Sequence, residues 1–327
     1  MPFKMIEPGK PLRIAFLGCG FAAKLHSKTL ARMPLVERYY ASRSAEKAAT
    51  FCEKYKGRGH FDSYEAAIES PDIDAVMVLT PPLNHLKLTL AAIQAGKHVI
   101  VEKPPFLHSS DFDTVKEEMQ KKRVQVMVAE NYFYKPSLAR LRELLGSGLI
   151  GEVKFIYINA TKLQKTNNWR DDEVVSGGGA LFEGGIHWIN YLSNLGFLVQ
   201  TVQGFLPGES SGMDRSIQVV AKFAEGAVGT LLYSWEVNTL LKGVRISKAF
   251  GTRGSITFES NGVFIFLRGK KWKLIFPGLS DISGYRAMFT DFIKALREGH
   301  EPAFNLSLAK RDLQLIEVIQ EDMKDDL

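Results

Sequence analysis

The stretch Leu12-Arg13-Ile14-Ala15-Phe16-Leu17-Gly18-Cys19-Gly20-Phe21-Ala22-Ala23 constrains this chain more than any other. A short apolar run of β type meets a turn with glycine at its first and third positions. Alanine follows three residues later, and a helical pattern starts at once. This is strand, tight turn and helix. In that arrangement Gly18 permits the sharp turn, Gly20 lets a pyrophosphate approach the backbone, and a small residue at 23 lets helix and strand pack closely. The N–H groups at the helix start, beginning with Phe21 and Ala22, then receive phosphate.

The same alternation repeats along the next hundred or so residues. A strand is expected over 36–41, a serine-capped helix over 44–55 and a short helix over 63–70 that Pro71 ends. The apolar run at 75–79 fits a strand buried on both faces. Helices over 85–95 and 110–122 alternate with strands over 98–101 and 124–129. Such an order makes a doubly wound parallel sheet. Beyond Glu130 the pattern changes. After a helix over 137–145, strands are expected over 153–160, 217–223, 227–235, 246–250, 255–258, 263–267 and 272–276, with hairpin signals at Glu225-Gly226, Asn261-Gly262 and Gly269-Lys270. The expected class is therefore α/β. An amino-terminal Rossmann domain spans 1–130, and a second α+β domain on a mainly antiparallel open sheet spans 131–327, with its last helices, 285–297 and 306–323, packing back.

Composition narrows the classes. The net charge of +6 is dispersed, with short clusters at Lys121-Lys122-Arg123 and Lys270-Lys271, so it argues against a nucleic-acid face. A mild positive field does favour phosphorylated cofactors. No apolar run reaches membrane-span length, and the first ten residues lack the apolar core of a signal peptide. Two cysteines, Cys19 and Cys52, make no disulfide framework and have no metal-ligand spacing, so a reducing cytoplasm and no metal are expected.

Four groupings carry candidate chemistry. At the end of the second strand stands Ala41-Ser42-Arg43-Ser44, where a site for NAD places an acid that binds the ribose 2′-hydroxyl. Arg43 offers a planar fork to a 2′-phosphate instead, and Ser42 a hydroxyl, which points to NADP(H) over NAD(H). Thr80-Pro81-Pro82-Leu83-Asn84-His85 is a proline-stiffened loop at the carboxyl end of a buried strand, where ligands of such sheets lie; Thr80, Pro82 and His85 are cofactor-binding candidates. Glu102-Lys103-Pro104-Pro105 follows the next strand. There the Lys103 ammonium suits proton transfer or alkoxide stabilisation, and Glu102 is placed to orient it. Finally Trp169-Arg170 precede a glycine-rich run into Glu183, His187 and Asn190, spaced for one helical face, where a carboxylate one turn from an imidazole can orient it. His26, His60, His98, His108 and His300 have no such company and read as surface or packing residues.

Taken in this order, the glycine loop, the segment 80–85, Glu102-Lys103-Pro104 and the run 178–187 resemble the Gfo/Idh/MocA oxidoreductase family, from about Leu12 to the final helix. The resemblance implies a Rossmann domain carrying NAD(P), an open carboxy-terminal sheet that forms the substrate wall and the oligomer interface, and sugars, inositols or their derivatives as substrates. It makes Lys103 the catalytic lysine, His187 the proton-transferring histidine, and Glu183 the equivalent of the family's usual aspartate. Ser42-Arg43 depart from NAD-using relatives, Glu183 replaces Asp, and Asn190 replaces a frequent second Asp.

The expectation is a cytoplasmic, NADP-dependent oxidoreductase that interconverts a secondary alcohol and a ketone on a carbohydrate-like molecule. Trp169, Arg170 and Asn190 would lie on its substrate side. Apolar alternation at Val228-Thr230-Leu232 and Phe264-Phe266 leaves a sheet face for a homodimer or homotetramer. Two rivals remain: a family member with tightly held nucleotide that cleaves a glycosidic bond by transient oxidation, and a non-catalytic NADP(H) sensor.

Overall fold

The computed structural model describes residues 3–166, 169–208, 212–239 and 243–325. Residue contacts divide the chain into two units, Met1–Ala129 with Tyr285–Lys310, and Glu130–Gly284 with Arg311–Leu327.

The first unit runs β1 (Leu12–Leu17), α1 (Phe21–Leu30), β2 (Val36–Ala41), α2 (Ala45–Lys54), β3 (Gly59–Phe61), α3 (Tyr64–Glu69), β4 (Ala75–Val78), α4 (His85–Gln94), β5 (His98–Val101), α5 (Asp111–Lys122) and β6 (Val126–Val128). Its strands form a six-stranded sheet in the order β3-β2-β1-β4-β5-β6, with every pair parallel. The apolar runs explain this, since β4 and β5 are buried along their whole length, as strands covered by helices on both faces must be. Ser44 and Ser63 cap α2 and α3 by accepting the N–H groups of Lys47 and Ala66. Three-residue β3 is too short to show a periodicity and escapes the sequence pattern.

The second unit holds α6 (Pro136–Gly146), β7 (Val153–Thr161), α7 (Glu173–Ser176), α8 (Ile186–Ser193), β8 (Val199–Phe205), β9 (Ser216–Phe223), β10 (Val228–Ser234), β11 (Ile246–Gly251), β12 (Gly254–Glu259), β13 (Ile265–Arg268) and β14 (Trp272–Ile275). Its eight-stranded sheet has the order β14-β13-β12-β11-β7-β10-β9-β8, antiparallel except where β10 runs parallel to β7. The sequence pattern misses β8 because Gly204 takes one inward position. A Cβ there would stand 2.5 Å from Ile319 Cγ2.

Two helices close the chain, α9 (Tyr285–Glu298) and α10 (Leu306–Asp325). The sequence numbers α9 with the second domain as one of the last helices that pack back, and by residue contacts it groups with the first unit. The reason is its apolar stripe of Met288, Phe289, Phe292, Ile293 and Leu296, all buried, which packs on α1.

Candidate active site

The glycine turn is built as its residues dictate. Gly18 has φ +127°, and a Cβ on it would lie 2.9 Å from the Leu79 carbonyl oxygen, so only glycine fits between β1 and β4. Gly20 has open space where a Cβ would stand, and Ala23 is fully buried against the sheet. Helix α1 begins at Gly20 with no side-chain cap and no acid in its first turn. Its first N–H groups and the positive end of its dipole therefore suit an anion. Phe21 is exposed, Ala22 half-buried. Cys19 is buried, which pushes its thiol pKa up to about 11 and keeps it protonated.

At the tip of β2, Ser42 is buried and its hydroxyl accepts the Ser44 N–H at 3.4 Å, while Arg43 is exposed. Among the described residues Arg43 makes no hydrogen bond or ion pair. After β4, on the far side of β1 from Arg43, the Thr80 hydroxyl is buried and has no hydrogen-bond partner among the described residues. An uncapped helix start, an open glycine and an orphaned hydroxyl on the same sheet edge fit a dinucleotide. Gly18, Gly20, Phe21 and Ala22 would hold its pyrophosphate, Arg43 its adenosine ribose and Thr80 its nicotinamide end.

The loops that follow β4 and β5 hold the next of the expected residues. His85 turns both ring nitrogens toward main-chain carbonyls of its own unit. It is fully buried, with Nδ1 2.8 Å from the Pro104 carbonyl oxygen and Nε2 2.7 Å from the Thr80 carbonyl oxygen. Pro82 is likewise buried, at the start of a 3-10 turn. Glu102 accepts the backbone N–H of Lys103 on Oε2 at 3.1 Å, so it fixes the main chain at Lys103. Its Oε1 binds Nε2 of His26, one of the histidines read from sequence as a packing residue. Helical spacing within α1 gave no sign of a partner 76 residues away.

In the second unit the residues expected as one helical stripe part company. Leu181–Gly185 is a π-turn, after which α8 begins. Gly184 lets this turn approach Tyr233 closely, because a Cβ there would lie 2.2 Å from the Tyr233 hydroxyl oxygen. Glu183 accepts Nε–H of Arg170 at 2.9 Å, with the carboxylate buried and Arg170 partly exposed. The carboxylate on His187 is Glu130 instead: His187 Nδ1 lies 2.7 and 2.8 Å from its two oxygens. Glu130 is 2% exposed and its Oε1 also accepts the Tyr132 N–H at 2.9 Å. Asn190 does not line an open wall. It is fully buried and donates to Asp312 Oδ2 at 2.7 Å. Trp169 begins the 3-10 turn Trp169–Asp171, but its side chain lies outside the described residues.

Tyr132 stacks on His187, with ring centroids 4.4 Å apart and planes 14° apart. Lys135 Nζ sits 4.2 Å from the same ring's centroid. Both cannot occupy one face of a phenol ring, so Tyr132 is held between imidazole and ammonium. Burial pushes the Lys135 pKa down to about 8, with Arg245 acting in the same direction and Glu259 and Glu130 against it. The ammonium thus stays charged at neutral pH. Burial also pushes Tyr132 up to about 12, so its phenol stays neutral. Glu130, Tyr132 and Lys135 were not singled out from the sequence. The one trace they leave there is a carboxylate placed directly after the apolar run of β6.

Residues 12–130 match the family described as "Oxidoreductase family, NAD-binding Rossmann fold", and residues 138–257 match the "GFO/IDH/MocA C-terminal domain". A dTDP-3,4-didehydro-2,6-dideoxy-alpha-D-glucose 3-reductase from Saccharopolyspora spinosa is 31% identical over 234 residues, 69% of this chain and 69% of that protein. The chain belongs to the Gfo/Idh/MocA oxidoreductase family. A levoglucosan dehydrogenase from Pseudarthrobacter phenanthrenivorans is 26% identical over 343 residues, 94% of this chain and 87% of that protein. The solved structure of levoglucosan dehydrogenase in complex with NADH and levoglucosan shares the fold at a TM-score of 0.86 and 22% identity, covering 97% of this chain and 98% of that one. Gfo/Idh/MocA members of this kind are NAD(P)-dependent dehydrogenases and reductases of sugar hydroxyl or keto groups. Among the described residues no helix is long and apolar enough to cross a membrane, and no group of acids, histidines and cysteines is placed to hold a metal ion.

Proposed function

We propose that this chain interconverts a secondary alcohol and a ketone on a sugar, polyol or sugar derivative, with NADP(H) preferred over NAD(H). The observation that carries this reading is the grip of both Glu130 oxygens on His187 Nδ1. A carboxylate there keeps a proton on Nδ1 and leaves Nε2 with the lone pair, so Nε2 takes the hydroxyl proton on oxidation and returns it on reduction. The Tyr132 ring fixes the plane of the imidazole. Lys103 provides the ammonium that stabilises negative charge developing on the substrate oxygen. Arg170, whose Nε–H is held by Glu183, is the cationic side chain we assign to the substrate side. A dinucleotide held at the glycine turn would supply the hydride chemistry, as donor or acceptor toward the carbinol carbon.

The sugar class is supported by the relatives, a levoglucosan dehydrogenase and a dTDP-sugar ketoreductase. A screen of polyols, anhydrosugars and keto-sugars for absorbance change in the nicotinamide band tests it. Free NADPH consumed or formed in step with product supports net redox, whereas product without change in free nucleotide favours glycosidic cleavage by transient oxidation. Nucleotide binding with no turnover on any class of sugar favours a sensor.

Cofactor choice follows from Arg43, exposed beside a tip that has no acid. NADP(H) is expected to bind at least about tenfold more tightly than NAD(H), and Arg43→Ala to remove most of that gap. Fluorescence titration checks this, and equal affinities in the wild type refute it.

Assembly follows from the second sheet. Its register aligns Val228, Phe155 and Phe250 across three strands, and Thr257, Phe266 and Leu274 across three more. Phe155, Phe250 and Leu274 are exposed there, as is Trp272, at 60, 41, 55 and 70%. Exposed aromatic and aliphatic side chains in such number on one face, interspersed with Lys222, Lys248 and Arg268, suit a second copy of the chain, giving a homodimer or homotetramer. Light scattering at micromolar concentration should return a multiple of the chain mass. Phe155→Glu should shift it to the monomer, and a monomeric wild type would rule the assembly out.

A further inference from the structure

Lys103 is bracketed by two buried histidines. On its amino-terminal side, His26 Nε2 binds Glu102 Oε1, and Glu102 Oε2 accepts the Lys103 N–H at 3.1 Å. His26 has no solvent exposure, and its ring is gripped edge-on by Tyr285 and Phe289, at centroid distances of 5.5 and 5.3 Å. On the carboxyl side, His85 Nδ1 lies 2.8 Å from the Pro104 carbonyl oxygen and Nε2 2.7 Å from the Thr80 carbonyl oxygen; burial lowers its pKa, so the neutral ring donates its one N–H to one of them, and we assign that proton to Nδ1 and Pro104. His85 too is buried, so neither ring is open to a ligand.

Packing alone does not call for imidazole at these places. A buried ring nitrogen is costly unless it is hydrogen-bonded, and a leucine or phenylalanine fills such space without that cost. What the two histidines share is the segment they hold, residues 102–104. A lysine side chain has four rotatable carbon–carbon bonds, so where its ammonium sits depends on a fixed main chain beneath it, and misplacement by about 1 Å costs on the order of a hundredfold in rate.

We propose that His26 and His85 are positioning residues that fix the place of the Lys103 ammonium from either side, His26 through the Glu102 carboxylate and His85 through the Pro104 carbonyl. The catalytic role of Lys103 proposed above is the premise of the kinetic part of the test, while the labelling part stands without it.

Paired amide substitutions separate positioning from bulk. Glutamine puts its amide nitrogen near the Nε2 place of histidine, and asparagine puts its own near the Nδ1 place. His26→Gln therefore keeps the bond to Glu102 and His26→Asn gives it up. His85→Asn keeps the bond to Pro104 and His85→Gln gives it up. In the intact chain, without nucleotide or sugar, the acetylation rate of Lys103 is read by peptide mass spectrometry against exposed Lys122 as internal standard. His26→Asn and His85→Gln are expected to change the Lys103 rate by about threefold or more, and their partners to leave it near wild type. On a substrate from the sugar screen, the same two variants should lose about tenfold or more in kcat with KM for the nucleotide within about twofold. If one pair fails to fold by circular dichroism, the other carries the test. Positioning is overturned if both members of a pair behave alike, or if Lys103 labels at the wild-type rate in all folded variants. Altered labelling with unaltered kcat supports positioning and removes Lys103 from the chemistry.

Discussion

Lys103→Met is expected to lower kcat by about two to four orders of magnitude while the affinity for the dinucleotide stays within a few-fold of wild type. Methionine keeps most of the length and the apolar stem of lysine and removes only the ammonium, so the loop 102–104 has no reason to rearrange. Glu102 still accepts the backbone N–H of residue 103, and His85 still meets the Pro104 carbonyl. What is lost is a charge that acts on the substrate oxygen as it becomes an alkoxide, an interaction stronger in the transition state than in the ground state. Such a loss falls on kcat. Steady-state kinetics and nucleotide titration check both halves. A variant that keeps wild-type kcat excludes Lys103 from the chemical step.

Glu130→Gln is expected to cost a similar two to four orders of magnitude in kcat, as His187→Ala should. Glutamine matches the size of glutamate and is a conservative change within a pocket where residue 130 is 2% exposed. Its amide, however, has an N–H that can donate to Nδ1 of His187, which stabilises the tautomer with the proton on Nε2 and leaves no lone pair for the substrate. His187→Ala removes the imidazole altogether. The double variant should be little worse than the poorer single one, because residues that act as a unit are not additive. Glu183→Gln serves as the contrast. Its carboxylate grips Arg170, so the change should fall on KM for the sugar with kcat nearly kept. If Glu130→Gln retains wild-type turnover and Glu183→Gln does not, the orienting carboxylate is Glu183 after all.

These expectations show where sequence and structure divide. Helix α9 was legible as a helix that packs back, but the helix it packs on was not, since periodicity says which face is buried and not against what. His187 and Glu183 stand four apart and read as partners, yet a π-turn and a nearer carboxylate on a different segment separate them. Asn190 sits in a helix whose seven other residues are nearly all buried, so its amide turns to Asp312 at a separation of 122 residues. His26 and Glu102 lie in separate motifs, each readable alone, and no pattern of spacing joins them.

By itself the sequence determined what rests on neighbours in the chain: the glycine turn, the alternation of strands and helices, the hairpins of the second sheet, and the two motifs that carry Lys103 and His187. Local sterics, capping and hydrophobic period act within a few residues, so they are written in order. Only the tertiary structure decided the partners of the buried polar groups. A carboxylate or imidazole withdrawn from water must be satisfied by whatever donor or acceptor the packed chain brings within about 3 Å, and that distance in space has no counterpart along the sequence.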